Sequence, residues 1–428
     1  MKYFWLLIFV IFFINKSQAQ VITPGDEASS VENDSIKKAE FLKYIGNGYF
    51  PTKYINLDLR YLVKYNQHEG FRTGLGGVTN EIFSKNFRLE GYTVYGFLDH
   101  RFKYSFGGGF RLSKKYNTWI NLNYTDDLQE TGSSNFLTDK RFFSFFEPRL
   151  INISLFHKHI SKTISIEHQL NSKIVTETQL SLSKIDPTYN YTFNLGTRGS
   201  YSNFDLATAK LSLQWSPFSD FEYTPNGLSE TKIGYPKFTI QYTKSFTDVF
   251  NGDFNFSKLD FRTIQEFKYK NESSTQFVLT GGIASGDTPI THLYHAYPNN
   301  VNKETILNRF SVAGTNSFET MYFNEFFSDR FATLQIKHRF APFKISPWFK
   351  PQLVIISRFA YGDMNNQNRH ENISFGTLEK GFSESGFEIN KLFFGFGLSF
   401  AYRYGAYHLP KLEDNIAFKF TFNISLDK

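Results

Sequence analysis

Long charged side chains occupy the polar face of the second, third and fourth predicted strands, interleaved with Gly74, Gly76, Gly107 and Gly109. These charged residues are Arg72, Arg88, Glu90, Lys103 and Arg111. A basic wall of this kind could select anionic solutes. The same side chains could instead pair with each other across neighbouring strands, with the glycines leaving room for them. We favour this second role, because charges on a wet strand face ordinarily form such networks.

Two carboxylates near residue 327 form a second candidate group. Glu325 and Asp329 share a strand face by parity, whereas Arg330 lies on the opposite face unless a bulge intervenes. Such a pair could act as general acid and base, or bind Ca²⁺. No nucleophile or base is placed beside them, so we predict pairing with nearby arginines and no catalytic residue.

Histidines offer a third kind of chemistry, metal binding. His157 and His159 share a strand face and could hold Zn²⁺, with His168 nearby, but a third ligand is not evident and the chain has no Cys. We therefore predict no metal site and no cofactor. Gly281-Gly282 and Gly107-Gly108-Gly109 lack the Lys and the following helix of a phosphate-binding loop. They indicate bends or close approach of strands instead.

The elements that carry these residues are clearest at the end of the chain, in N-I-A-F-K-F-T-F-N-I-S-L, Asn415 to Leu426. Every second residue of this stretch is apolar, and the residues between are polar or small. Because successive side chains of a strand point to opposite faces, the stretch is a strand with one apolar and one wet face. A helix would scatter both sets around its circumference.

The same two-residue period recurs from Tyr54 onward, in about 16 segments, with 14 as the alternative. Short connections alternate with long loops, including Asp126 to Glu147 and Gly286 to Ser317, which could fold inward as a plug. Pro217 to Pro236 is too long for the short connection expected there. The pattern predicts an all-β protein, a transmembrane antiparallel β-barrel. Hydrocarbon offers no partner for backbone groups, so we expect Asn415–Leu426 to pair with Tyr54–Tyr65.

Composition agrees with this fold class. Aromatic residues make up 19% of the 428 residues, with 51 Phe and 25 Tyr, and a barrel places these on its lipid face and at the headgroup levels. Mean hydropathy is −0.36, as expected when every second residue faces water. The net charge is +7 with no Lys/Arg block, so we predict no nucleic-acid partner.

The first residues have the pattern of a secretory leader. Lys2 precedes an apolar run from Tyr3 to Ile14, and Ser17-Gln18-Ala19 places small residues at a cleavage site. The apolar run is shorter than a bilayer span. We therefore predict a signal peptide at 1–19, a short periplasmic segment at 20–53 and an outer-membrane β-barrel at 54–428.

Three segments resemble a family of Bacteroidota outer-membrane barrels of unknown function. The first is N-Q-H-E-G-F-R-T-G-L-G-G-V-T-N-E-I-F-S-K followed by L-E-G-Y-T-V-Y-G-F-L-D-H-R-F-K-Y, within Asn66 to Tyr104. The second is M-Y-F-N-E-F-F-S-D-R-F-A, Met321 to Ala332, and the third is E-S-G-F-E-I-N-K-L-F, Glu384 to Phe393. The family usually carries a carboxypeptidase-regulatory-like β-sandwich, for which the residues before Phe50 leave no room. The resemblance implies architecture and compartment, not an activity.

These observations support three functional hypotheses. The first is a non-enzymatic barrel in the outer membrane of a Gram-negative bacterium, with a role in transport, translocation or envelope assembly. The second is a general diffusion porin, and the third is a barrel-embedded outer-membrane hydrolase. The partners expected are outer-membrane lipid, the machinery that inserts barrels and an unidentified envelope partner.

Overall fold

The structure is a computed structural model that describes residues 41, 44–45, 48–137, 139, 148–224, 227–301, 311–346, 349–393 and 395–422. The predicted signal peptide and most of the predicted N-terminal segment lie outside these residues. Within the described part of the chain, no helix is long and apolar enough to cross a membrane.

One antiparallel sheet forms the body of the protein, and its eighteen strand segments reduce to sixteen long strands plus a short edge segment. The segment Tyr49–Pro51 pairs with the start of β1. The first strand, β1, has two parts, which both pair with β2. In chain order the strands are β1 (Ile55–Asp58 and Val63–Asn66), β2 (Gly70–Thr79), β3 (Phe87–Gly96), β4 (Arg101–Ser113), β5 (Thr118–Glu130), β6 (Phe156–Asn171), β7 (Ile174–Pro187), β8 (Phe204–Trp215), β9 (Lys237–Phe246), β10 (Phe256–Lys268), β11 (Ser274–Gly286), β12 (Arg330–Arg339), β13 (Gln352–Asp363), β14 (Phe382–Phe393), β15 (Phe396–Tyr404) and β16 (Ile416–Phe422).

Each long strand pairs with the next one along the chain, from β1–β2 to β15–β16. The fold is therefore an all-β, transmembrane antiparallel barrel, as predicted. The connections alternate between two rims. The short-turn rim includes 172–173 and 394–395, and the long-loop rim includes 131–155, 188–203, 287–329 and 364–381.

The outer face of the sheet is apolar, as the two-residue period predicts. Phe71, Leu75 and Phe106 are each more than 60% exposed, and Phe418 is 56% exposed, while Lys419 between the last two phenylalanines is 2% exposed. So much exposed apolar surface would make a soluble protein aggregate. In a bilayer the same surface is the solvated face.

The first strand departs from its predicted alternation. A 3-10 turn, Leu59–Tyr61, interrupts it, because the Asp58 carboxylate accepts the Arg60 backbone N–H at 3.0 Å and caps the turn. The turn interrupts the alternation, so Tyr61 points inward and stacks on Tyr92 with ring centroids 4.0 Å apart, whereas Val63 and Tyr65 beyond the turn are exposed again. The two-residue period predicted from Tyr54 onward therefore fails at Tyr61.

Connections at the rims fold into small elements of their own. The stretch 217–236 contains a hairpin, Asp220–Thr224 with Gly227–Lys232, which accounts for a connection that seemed too long for the short-turn rim. At the long-loop rim, Thr192–Asn194 pairs with Ser200–Tyr201 and with His370–Glu371. Single 3-10 turns lie at Pro148–Ile151, Gly196–Arg198, Ile290–His292, Gln367–Arg369, Gly405–Tyr407 and Leu412–Asn415.

The main apolar core does not lie between sheets but under the long-loop rim. It joins residues of the loops to the loop-rim ends of the strands, with Tyr191, Phe254, Ile290, Met321, Phe327 and Phe382 almost fully buried. We call this cluster the roof. It closes one end of the barrel with packed side chains, whereas the wet strand faces below it are lined by polar groups.

Candidate functional site

The loop after β5 runs down the inside of the barrel. Gln241 on the inner face of β9 accepts the Leu137 N–H at 3.0 Å, and its own amide donates to the Asn135 carbonyl at 3.0 Å. The Leu137 side chain packs with Val175 and with Phe221 of the short-turn hairpin. The described part of this loop, 131–137, therefore reaches from one rim to the other, and we call it the first lumen loop.

The longest loop, 287–329, also lies inside. Its Tyr294 hydroxyl donates to Asp260 of β10 at 2.6 Å, and its ring needs the space left by a glycine, since a Cβ at Gly282 would lie 2.5 Å from the ring. Two short segments of this loop, Pro298–Asn300 and Phe318–Tyr322, pair with each other in parallel. We call 287–329 the second lumen loop. The expectation that the long loops fold inward is met where the structure describes them.

Four buried charged residues attach the second lumen loop to the wall, and we call them the central charge cluster: Glu319, Arg358, Glu384 and Lys419. The Glu384 carboxylate accepts the backbone N–H groups of Glu319 and Thr320, each at 2.9 Å, and the Arg358 guanidinium at 2.7 Å. Lys419 of β16 pairs with Glu319 at 2.9 Å. None of the four side chains is more than 3% exposed, so each depends on its partners for its charge.

The cluster keeps the loop carboxylate ionised. Burial opposes the charged form of Glu319, but the Lys419 ammonium and the Arg358 guanidinium outweigh it, so the pKa of Glu319 lies below its usual value. Lys419 also donates to the Asn299 carbonyl on the neighbouring loop segment. One lysine of the last strand therefore holds both paired segments of the second lumen loop.

The charged residues singled out in the sequence divide into two groups along the wall of β2 to β5. In the first group Arg72 makes a two-pronged pair with Asp127 at 2.6 and 2.7 Å, and Lys103 pairs with Glu69 at 2.6 Å. In the second, the Arg88 and Arg111 guanidinium groups lie 5.2 and 5.8 Å from the centre of the Trp119 ring, and Glu90 is 3.8 Å from Arg88.

Glu325 and Asp329 lie elsewhere and apart from each other. Neither is on a strand, because both belong to the second lumen loop. Glu325 makes a two-pronged pair with Arg403 of β15 at 2.6 and 3.0 Å. Asp329 lies at the long-loop rim, where its carboxylate accepts the Asn365 N–H at 2.7 Å. The predicted shared strand face does not form.

The three histidines are also divided. His157 and His159 face inward with ring centroids 6.1 Å apart, and His157 is within 3.2 Å of the Thr131 hydroxyl. His168 lies on the outer face beside Thr118 at 2.7 Å. Among the described residues, no three His, Cys, Asp or Glu side chains converge as metal ligands would.

A polar cavity of about 420 Å³ remains inside the barrel, beside the first strands. Its walls include Asp58, Arg60, Glu90, Tyr92 and His159. The first lumen loop and the second lumen loop do not contribute to its lining. The lumen is therefore filled on one side and on the other holds a polar space large enough for several water molecules.

The first and last strands do not pair with each other within the described residues. The outer edge of β1 is occupied near the short-turn rim by Tyr49–Pro51, which folds back on it as a hairpin. The free edge of β16 is met instead by the second lumen loop, where Phe420 accepts the Ala313 N–H at 2.8 Å and donates to Ser311 at 3.1 Å. The prediction of direct pairing between Asn415–Leu426 and Tyr54–Tyr65 is not met in the part described.

We call this gap between β1 and β16 the seam. Backbone groups of alternate residues in a strand point to the same side, so those of Phe418 also face the seam. Across the described residues, they have no hydrogen-bond partner. The 3-10 turn Pro148–Ile151 lies against the upper part of β1, and Asn152 joins it to the second lumen loop through Asn299 at 2.8 Å. In the described part of the chain, loop segments and no strand ladder cover the seam.

Sequence reasoning missed the central charge cluster, although two signals were present. Arg358, Glu384 and Lys419 all lie on the wet parity of predicted strands, and Glu384 begins the third resembling segment. Their shared partner, Glu319, lies in a loop with no periodic pattern. A loop of that kind gives no indication of which wall it touches.

A family model matches residues 47–343, and its description is the C-terminal domain of a family of unknown function, DUF5686. No curated protein has a sequence significantly similar to this chain.

Solved structures share the fold at low sequence identity. BamA from Haemophilus ducreyi lacking POTRA domains 1–3 is 11% identical, with a TM-score of 0.52, over 94% of this chain and 79% of that one. CdiB from Escherichia coli is 9% identical, with a TM-score of 0.44, over 86% of this chain and 62% of CdiB, less than two thirds of its length.

Proposed function

Since the chain belongs to the DUF5686 C-terminal domain family, whose function is unknown, we propose that its role follows from its seam: translocation or assembly of an envelope component at the outer membrane. The observation that supports this most directly is the edge of β16. Within the described ranges its Phe420 backbone is bonded to a loop, at Ser311 and Ala313, whereas β10 and β11 share a ladder of thirteen residue pairs.

A strand edge that a loop covers in place of a strand is unusual in a membrane, because hydrocarbon cannot satisfy backbone groups that the loop leaves exposed. Such an edge favours any chain that can add a strand to it. The segment around residues 311–313 occupies part of this edge and would have to leave before a substrate strand could pair there. The second lumen loop then acts as the movable cover of the seam.

The filled lumen argues against the porin alternative. The first lumen loop crosses the interior between the two rims, and the roof closes one end with packed apolar side chains. Steady conductance in a planar bilayer would support a porin. Our proposal predicts no steady conductance, because the remaining cavity of about 420 Å³ lies below an end of the barrel that the roof closes.

The hydrolase alternative is weakened by the histidine most suitably placed for it. His295 lies 2.8 Å from Glu130, as in a catalytic dyad, but its other ring nitrogen accepts the Tyr297 N–H at 3.0 Å. Both ring nitrogens are therefore engaged, and none is left for a nucleophile. Burial also lowers the pKa of His295, so the ring is neutral at physiological pH.

The proposal includes a compartment and partners. The apolar outer face needs a bilayer, and we place it in the outer membrane of a Gram-negative bacterium, inserted there by the barrel-insertion machinery. The Bacteroidota source that the resemblance implies belongs to the same proposal. The envelope component handled at the seam is unidentified.

A disulfide across the seam tests the proposal. Val312 and Phe420 are bridge partners, so V312C/F420C would fix the second lumen loop to the edge of β16. The natural chain has no Cys, so no other disulfide competes. In cells whose only copy of the protein is this variant, we expect an altered envelope composition or permeability under oxidising conditions. A reductant should restore the wild-type envelope.

The matched control is T263C/L279C, which places the same bond on the outer face inside the β10–β11 ladder. This lock should leave the phenotype unchanged. Normal envelope composition and permeability with the seam locked would contradict a role for the seam.

A further inference from the structure

The outer wall has one region that an ordinary lipid face does not explain. A groove of about 780 Å³ lies on it over β3 to β9, from the middle of the wall to the turn between β9 and β10 at the long-loop rim. Leu122, Leu180, Leu182 and Phe246 line it with apolar side chains, and Lys162 lies at its edge. Grooves of this size are typical of small-molecule and lipid sites.

Lysines are concentrated at this part of the wall. Lys162 lies between Tyr124 and Leu182 at one level, and Lys184 lies opposite Ile160, one two-residue step nearer the rim. Both side chains are exposed on the outer face. Within the described ranges neither ammonium forms an ion pair or hydrogen bond, unlike Lys158, which pairs with Asp186 at 3.0 Å.

Among the described residues, the neighbouring carboxylates Asp126 and Asp205 form no ion pair with these two lysines. Asp205 lies opposite Lys184 in the β7–β8 ladder but is not within ion-pair distance of it. Its backbone N–H donates to Asp253 at 2.7 Å, so Asp253 is directed to the rim turn. Two lysines on a lipid-facing wall therefore lack a protein counter-charge. Such charges are costly near the hydrocarbon unless an anionic headgroup meets them.

A short turn overhangs the groove. Val249 and Phe250, between β9 and β10, are 42% and 78% exposed and belong to the groove lining. Asp248, Phe250 and Asn251 all have positive φ, at 59°, 47° and 63°. Such a conformation is uncommon for a bulky residue like Phe, and it persists here because Gly252 and Val249 close the turn by a 3.0 Å hydrogen bond.

We propose that this groove binds a phosphorylated membrane lipid, with acyl chains along its apolar floor and under Phe250, and with phosphate against Lys162 and Lys184. The positive charge of the two lysines supports this occupant. Lys162 lies beside Tyr124, which stacks on Tyr104, and tyrosines on the outer face of a barrel lie at the level of the lipid headgroups. The inference rests on the transmembrane fold and not on the seam.

Lipid retention measured by native mass spectrometry tests it. The protein is placed in nanodiscs of phosphatidylcholine mixed with phosphatidylglycerol and released into detergent, and the lipids that remain bound are counted. Wild type should retain phosphatidylglycerol over phosphatidylcholine by roughly thirtyfold, since the two lysines contribute about 1 kcal/mol each near a charged surface. K162Q/K184Q should lose this preference but still retain lipid.

Two further variants keep the outcomes distinct. V249S/F250S should retain less of both lipids, because the apolar cover is gone. K114Q/K115Q, which removes two exposed lysines from the β4–β5 turn at the other rim, should behave as wild type. The proposal is overturned if wild type shows no preference, if the control loses it equally, or if V249S/F250S retains both lipids normally. Failure to enter nanodiscs at all would count against the membrane location instead.

Discussion

The two sides of the lumen use the same charged residue types in different ways. Along β2 to β5, charges of the wall below the rim pair with each other or with adjacent turns, as Arg72 does with Asp127, and a polar cavity of about 420 Å³ remains beside them. At the rim end of β5, Glu130 instead meets His295 of the second lumen loop. Along β12 to β16, charges of the wall pair with a loop, as Lys419 does with Glu319. Wall-to-wall pairs stiffen a barrel, whereas wall-to-loop pairs seat a movable element.

The difference is important for function because the loop-bearing side is also the side of the seam. Lys419 and Phe420 are adjacent in β16, so the residue that seats the second lumen loop lies beside the one whose backbone binds its cover segment. Movement of the loop would therefore change the charge environment of β16 and expose its edge in one step.

The largest expected effect comes from removing the acceptor at the centre of the loop-bearing side. Glu384→Ala leaves the buried Arg358 charge and two loop N–H groups without their partner. We expect a loss of roughly 3–5 kcal/mol in the free energy of unfolding, as for other broken buried pairs. Thermal unfolding in detergent measures this loss, and hydrogen exchange should show faster exchange in 287–329 than elsewhere.

A matched change on the other side is Glu90→Ala, which removes a carboxylate that is 37% exposed and 3.8 Å from its partner Arg88. Its effect should be below about 1 kcal/mol. Equal destabilisation by the two variants would show that the two sides of the lumen do not differ as we describe.

Lowering the pH is expected to reduce the free energy of unfolding by up to about 3 kcal/mol, because a buried histidine lies against the roof. Burial, with a smaller contribution from Arg369, lowers the pKa of His370 to about 4 from the ordinary 6.5. His370 lies 2.9 Å from the Tyr191 hydroxyl in the roof. As the pH falls below about 6.5 the unfolded chain binds the proton first, so stability is lost between about 6.5 and 4.

Unfolding midpoints measured from neutral pH down to about pH 4 check this, with His370→Gln as the comparison, since Gln does not titrate in that range. The variant should show a shallower decline than wild type. Identical pH profiles would mean that the imidazole is not buried in its neutral form.

A smaller effect is expected from Arg72→Met on the wall-to-wall side. The substitution removes a two-pronged pair with Asp127 but keeps an apolar stem of similar length. We expect a loss of roughly 2 kcal/mol, the usual contribution of hydrogen bonds to charged groups. Hydrogen exchange in 287–329 should stay at the wild-type rate, because no residue of that loop contacts Arg72 among the described contacts.

The sequence predicts the outer face of this protein well and its interior poorly. Phe418 and Phe420 face outward as their parity requires, because lipid imposes the same condition on every strand. Tyr61 breaks the pattern because one carboxylate, Asp58, caps a turn within the strand. A local hydrogen bond of this kind is not visible in a two-residue period.

The interior depends on contacts between residues far apart in the chain. Glu319 and Lys419 are one hundred positions apart, and Leu137 contacts Gln241 across the lumen. Charges at wet positions such as Arg358 indicate only that a residue faces inward. Which loop it meets depends on loop conformation, for which the sequence offers no periodic signal.

Residue-resolved hydrogen exchange at the seam tests the central claim most directly. If the edge of β16 is covered only by a loop segment, the Phe420 amide, bonded to Ser311, should exchange orders of magnitude faster than amides in the middle of β10. Glu384→Ala should speed it further by unseating the loop. Protection at Phe420 equal to that of β10, unchanged by the substitution, would contradict a seam that opens.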